Sequence, residues 1–330
     1  MCAYQKGLVA TLAELQDFYK GQPAGDMIEL MNQTNDVLDD IPWMESNQTD
    51  GHLTRMRSGL PTVYWRRIYR GTPPSKGDWT QVKESCGMLE ALQELDVKEV
   101  ELYGDKARAF RLSEGKAFTE AMRQKVAKTL FYGDHAANPD EFSGFAIRYS
   151  DSTKPHVISA GGSSSGANSS MWLICWGGNT VHGIYPKGST GGLKNEDLGK
   201  YMTMDSANQK FQCVGDKWSW DCGLAVRDWR AVVRICNIPT ASLTKRKGET
   251  GFIDLQALTI MAKNKMPENM RNSAIWYCGD EILTALELQS IDSGNVHLEY
   301  GEFFNSKKVP TLHGRPIRQC DVLLGTEDPV

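Results

Sequence analysis

Between Thr54 and Lys76 the chain contains no acidic residue, and residues 62–79 read TVYWRRIYRGTPPSKGDW. Arg66, Arg67 and Arg70 stand among Tyr64, Trp65 and Tyr69, with Arg55 and Arg57 just upstream. The β-branched and aromatic run Thr62–Tyr69 predicts a strand, GTPPSKG predicts a turn, and a second strand should follow from Trp79 to about Leu89. Paired prolines suit no central strand, so the hairpin is expected to be peripheral and projecting. Directly before it, residues 26–50 hold Asp26, Glu29, Asp36, Asp39, Asp40, Glu45 and Asp50 and no Lys or Arg. That stretch is poor in apolar periodicity and reads as an extended arm with a short helix around Met27–Met31. Elements without a core of their own gain stability only by lying on something else, here a neighbouring copy. Clustered opposite charges can then set register between copies. Arg55, Arg57, Trp65, Arg66, Arg67, Tyr69 and Arg70 are therefore candidate inter-subunit contacts, with Asp36, Asp39, Asp40 and Glu45 as the complementary acidic set.

Cations interleaved with rings also suit phosphates and bases, which makes a nucleic-acid-binding module built on the basic hairpin 55–76 an alternative. The formal net charge of −4 over 330 residues argues against it and against a membrane-surface binder. No apolar run approaches the roughly 20 residues needed to span a bilayer. The N-terminus MCAYQKGLVATLAELQDFY carries Glu14 and Asp17 within an amphipathic pattern, unlike a signal peptide, and a cytosolic protein is expected. The eight cysteines, at 2, 86, 175, 213, 222, 236, 278 and 320, form no CxxC pair and read as reduced, buried thiols.

The second alternative is a serine hydrolase, because Gly162-Ser163-Ser164-Ser165-Gly166 matches GxSxG. A nucleophile elbow needs a strand before it and a helix after it, whereas GANSSMWLICW reads as loop and strand. The six histidines are scattered, with none at the spacing of a helical metal site, and no phosphate-binding glycine loop is present. No catalytic, cofactor-binding or metal-ligating set emerges.

The remaining pattern predicts an α+β chain. Leu8, Leu12, Leu15, Phe18 and Tyr19 recur at helical spacing. Ser113 is a candidate N-cap for a long helix lined by Phe118, Ala121, Met122, Val126, Leu130 and Phe131 and closed by Gly133. Residues 151–170 read as a Gly/Ser-rich connection, MWLICW (171–176) as a buried strand, and Trp229–Ile235 as a two-faced strand. KRKGETG (245–251) marks a boundary. Beyond it Asp254 caps a helix to about Lys265, AIWYC (274–278) is a strand, and Asp280 opens a helix to about Ser290.

This order resembles the major capsid proteins of tailed double-stranded DNA phages, with the HK-97-like shell fold. The residues that carry the resemblance are TVYWRRIYRGTPPSKGDWTQVKESCGMLEA (62–91), FRLSEGKAFTEAMRQKVAKTLFYGDHAANPDEFSGF (110–145), WGGNTVHGIYPKG (176–188) and WSWDCGLAVRDWRAVVRICNI (218–238). It implies an N-terminal arm over 1–50, an E-loop hairpin over 51–83, a peripheral domain over 84–251 with a spine helix at 110–132, and an axial domain with C-terminal strands over 252–330. In the usual order peripheral strands return after the axial domain. Here WGGNTVHGIYPKG and 218–238 precede residue 252, which implies a rearranged connection order. The implied function is that of a structural subunit, with no enzymatic role, that self-assembles into hexamers and pentamers of an icosahedral capsid enclosing DNA. Implied partners are further copies, a separate scaffolding protein (the chain starts directly in the arm), a portal, optionally a cement protein, and packaged DNA held non-specifically, with no membrane. The implied location is the virion, after assembly in the host cytoplasm.

Overall fold

Strand pattern divides the chain between two sheets, one half-exposed and one whose central strands β5 and β9 are buried on both faces. The computed structural model describes residues 33, 35–49, 51–205, 208–293, 298–302 and 308–330. The expected helix over Leu8–Tyr19 and the short one at Met27–Met31 lie outside these. In chain order come α1 (Val37–Asp40), β1 (Trp43–Glu45), β2 (Gly51–Arg57), β3 (Trp79–Asp96), α2 (Val97–Leu102), α3 (Ala107–Tyr132) and α4 (Phe145–Arg148). Then follow β4 (Val157–Ser159), β5 (Asn168–Cys175), β6 (Val181–Tyr185), β7 (Lys194–Met204), β8 (Lys210–Val226) and β9 (Val232–Pro239). The last are α5 (Leu255–Lys265), α6 (Glu268–Arg271), β10 (Ala274–Cys278), α7 (Asp280–Ser293), β11 (Leu298–Glu302), β12 (Lys308–Leu312) and β13 (Arg315–Gln319).

The first sheet runs β1-β6-β8-β3-β2, with β7 also on β8. Along β3 exposed Met88, Glu90, Leu92 and Glu94 alternate with the more buried Leu89, Ala91, Gln93 and Leu95, the period of a strand covered on one face. Helix α3 is the cover: Met122, Val126, Leu130 and Phe131 are buried, and Gly115 lies so close to Trp218 of β8 that a Cβ there would meet the ring at 2.9 Å. This spine begins earlier than expected. Asp96 accepts from the Lys98 amide and caps α2, and the chain turns at Gly104 before α3 starts at Ala107, which leaves Ser113 inside the helix. Gly133 is the C-cap, with its N–H on the Thr129 carbonyl.

The second sheet runs β11-β12-β13-β10-β5-β9-β4. At its centre β5 is buried at every residue, and β9 at all but Pro239. This corrects three expectations. Residues 151–170 include β4 and the buried start of β5 at Asn168–Ser170. The strand expected over Trp229–Ile235 begins only at Val232, after a 3₁₀ turn, and has no solvent face, because neighbours cover both sides. The boundary at 251 does not follow the sheets, since β5 and β9 are continuous apolar runs that need full cover and obtain it beside β10. Residues 171–238 are thus divided: β6, β7 and β8 lie in the sheet of β3, while β5 and β9 lie with the strands of the C-terminal part. A peripheral unit spanning all of 84–251 is not what the chain forms.

Candidate inter-subunit surface

β2 and β3 pair in antiparallel register from Gly51↔Ser85 to Arg57↔Trp79. Gly51 is required there, since a Cβ would sit 2.1 Å from the Glu84 carbonyl oxygen. The hairpin base is tied to the body by Arg148, whose two terminal nitrogens each donate to one Glu84 carboxylate oxygen at 2.6 Å. This is the bidentate geometry in which arginine pairs are strongest. Beside it His52 packs edge-on against His182 of β6, centroids 5.6 Å apart. Burial, His52 and Arg227 push the His182 pKa down to about 4, and burial also lowers that of His52.

Beyond Arg57 the ladder stops. Ser58 and Gly59 still donate to the Asp78 carbonyl, and Asp78 returns a bond to Gly59 at 3.2 Å. From there to Lys76 the chain is a loop rather than the strand expected at Thr62–Tyr69. The opposing run holds Pro73 and Pro74, which have no N–H to give, so the residues facing Thr62–Tyr69 offer no ladder. The loop is held by few bonds: Ser75 Oγ donates to the Thr62 carbonyl at 2.6 Å, and the Arg70 amide donates to the Arg67 carbonyl at 3.2 Å. Tyr69 takes φ 64°, a left-handed conformation that costs a non-glycine residue about 1 kcal/mol.

Every residue from Leu60 to Lys76 is exposed, including Leu60, Val63, Tyr64, Trp65, Ile68 and Tyr69, with Trp65 and Tyr69 fully so. No carboxylate among the described residues pairs with Arg66, Arg67 or Arg70. Arg57 stacks over Trp79 at 4.9 Å, and Arg55 and Arg57 share an open concavity of about 850 Å³ with Arg227, Arg230 and Asp228.

The expected acidic set lies elsewhere and is largely engaged within the chain. Asp36 and Asp40 both face Arg318, at 3.5 and 3.0 Å, and Asp40 also accepts from Tyr277 Oη at 2.8 Å. Burial raises the Asp40 pKa against the lowering pull of these two partners. Val37, Leu38 and Ile41 are part of the main core, and the adjacent Asp40 turns inward with them. Glu45 accepts from the Gly188 amide at 2.8 Å, while Asp39 stays open with Arg123 3.8 Å away. The structure does not bring the hairpin arginines and these acids together in one subunit.

At Gly162–Gly166 the strand β4 precedes and the strand β5 follows. Ser165 Oγ bonds Asp328, and the Ser164 carbonyl accepts from Asn168 Nδ2 at 2.5 Å. This is a surface turn with no helix behind it, so it lacks the elbow that a serine nucleophile requires. The residues that sequence reasoning missed are the buried Glu84, Arg234 and Glu327 and the half-buried Arg148, charged groups whose partners lie far away in sequence.

A family model described as major capsid protein GP7 matches residues 20–330. This chain belongs to that family. A chain from the near-atomic-resolution structure of bacteriophage Epsilon15 is 26% identical with TM-score 0.77, covering 100% of this chain and 99% of that one. Weaker likenesses are to the holo-SrpI encapsulin complex of Synechococcus elongatus PCC 7942 (9% identity, TM-score 0.46, 70% and 97% coverage) and to the capsid of a native GTA particle (11% identity, TM-score 0.46, 70% and 100% coverage). No curated protein matches the sequence. The fold of this major capsid protein is HK-97-like and of α+β class, and its role is structural rather than enzymatic.

Proposed function

We propose that this shell subunit joins its neighbours through the loop 58–78, in hexamers and pentamers of an icosahedral shell that encloses double-stranded DNA. One observation carries the reading: six large apolar side chains and three arginines stand together on a projection that buries none of them. Contiguous apolar surface of this kind on a folded subunit marks an interaction site. In this reading residues 51–83 act as an E-loop, α3 as the spine, the sheet of β3 and β8 as the peripheral layer, and the sheet around β5 and β10 as the axial one. A separate scaffolding protein and a portal serve assembly in the host cytoplasm. The test is the double variant Arg66→Glu/Arg67→Glu. It should keep the wild-type circular dichroism and melting curve, because both side chains are exposed, yet yield no shells in sedimentation or negative-stain images. Shells formed at wild-type yield would remove the loop from the interface.

A further inference from the structure

Where the hairpin root faces the turn before β4, the side chains enclose a cavity of about 380 Å³. Met56 of β2 and Val82 of β3 wall it on the hairpin side, and Val226, Tyr149, Pro155 and Trp229 wall it on the body side. Met56 and Trp229 also border the concavity that holds Arg55 and Arg57, so the two open next to each other. A third ring, His156, stands edge-on to Trp229 with centroids 4.6 Å apart. A mostly apolar cleft of this volume, with a few polar groups converging on it, is of the kind that small molecules fill.

Two of its polar groups make the cavity selective. His156 is 6% exposed, yet its Nδ1 is buried without a hydrogen-bond partner. Buried polar atoms in folded proteins are normally paired, and the cavity is where a partner can enter. Burial lowers the His156 pKa, Lys265 and Arg230 add to this, and Asp228 opposes it, so the ring is neutral at pH 7 and can donate from Nδ1. Lys154, two residues earlier in the same turn, lines the same cavity. No ion pair holds its ammonium among the described residues. Arg148 cannot serve in its place. Besides its two bonds to Glu84, it donates to the Ser143 and Gly144 carbonyls at 3.0 and 3.2 Å, which makes that pair a neutral wall.

We propose that this cavity is a binding site for a small aromatic carboxylate. Its volume is that of a small-ligand site rather than of a groove for a helix or strand, so the occupant is a free molecule. The ligand's ring lies among Trp229, Tyr149 and Met56, in the edge-on and sulfur–ring contacts that aromatic groups favour. Its carboxylate accepts from His156 Nδ1 and pairs with Lys154. Arg55, Arg57, Arg227 and Arg230 in the adjoining concavity draw anions to the mouth, offset only by Asp228. Because the walls come from both hairpin and body, an occupant braces the root of β2 and β3 against the rest of the subunit. The site does not depend on the reading of loop 58–78 as a subunit contact.

The experiment titrates the full chain with 2-naphthoate by isothermal titration calorimetry, with 2-naphthamide and octanoate in parallel. One naphthoate per chain is expected, with the amide and octanoate each about tenfold weaker or more. Trp229→Ala and Lys154→Gln alter exposed side chains and leave the fold intact by circular dichroism, and each should weaken naphthoate by about tenfold. Naphthoate should also slow hydrogen exchange of the Thr54–Arg57 amides in the unmodified chain and not in Lys154→Gln. No binding, or binding that neither substitution weakens, would overturn the site. Equal affinity for the amide would overturn the carboxylate, and equal affinity for octanoate the aromatic ring. None of these results bears on whether the chain forms shells.

Discussion

Arg234 lies in the middle of β9, 3% exposed, and its guanidinium is met from every side. It donates to Glu327 Oε2 at 2.8 Å, to Ser170 Oγ at 3.2 Å and to the Tyr149 carbonyl at 3.0 Å, and it stacks on Trp172 at 5.0 Å. Tyr132 donates to the other Glu327 oxygen at 2.5 Å, and burial with that carboxylate drives the phenol's pKa far upward. Removing one partner leaves the other charge buried, so Glu327→Ala should cost about 3–5 kcal/mol, read from urea unfolding. The lone arginine in VVRIC hints at such a network, but its partner stands 93 residues away and no local spacing points to it. His182 supplies a pH prediction. Its folded pKa of about 4 lies below the ordinary value of 6.5, so the unfolded chain takes up the proton first. Stability is complete above pH 6.5 and is lost as pH falls toward 4, by about 2 kcal/mol at pH 5. His182→Phe should flatten the urea-midpoint profile between pH 7 and 5, above the range where most carboxylates titrate.

At the scale of elements, the spine helix depends on one small residue. A side chain at Gly115 has only the Trp218 ring and the Gln93 amide to displace. Gly115→Leu should therefore destabilise by about 1–3 kcal/mol despite better helix propensity, whereas Ala117→Leu on the exposed side should stay within about 0.5 kcal/mol, both by thermal melts. Elements whose signals are local were legible. Asp254 accepts from the Ala257 amide and caps α5, AIWYC is β10, and Asp280 opens α7, as their residues suggest. Elements set by distant partners were not. β9 alternates in sequence like a half-exposed strand yet is central, because β5 and β4 flank it and Arg234 finds a buried anion. Thr62–Tyr69 has strand composition but faces Pro73 and Pro74, so it forms no ladder and its aromatic side chains stay exposed.

The whole subunit places a cationic, apolar projection at one end of β3 and an acidic, partly apolar sheet face toward the other. The charge contrast was visible in the sequence. Its geometry was not, since Asp36 and Asp40 pair with Arg318 and the acids of the sheet become neighbours only once β3, β7 and β8 pair. Gly59 and Gly77 face each other across the loop's neck, a Cβ on Gly77 reaching the Gly59 carbonyl at 3.0 Å, so a short turn can replace residues 60–76 without disturbing β2 or β3. The direct measurement is sedimentation velocity, with negative-stain images, on the wild-type and loop-shortened chains prepared side by side. Rings or shells from the wild type and a folded monomer from the shortened chain are the predicted result. Equal assembly by both would contradict a shell built through this loop.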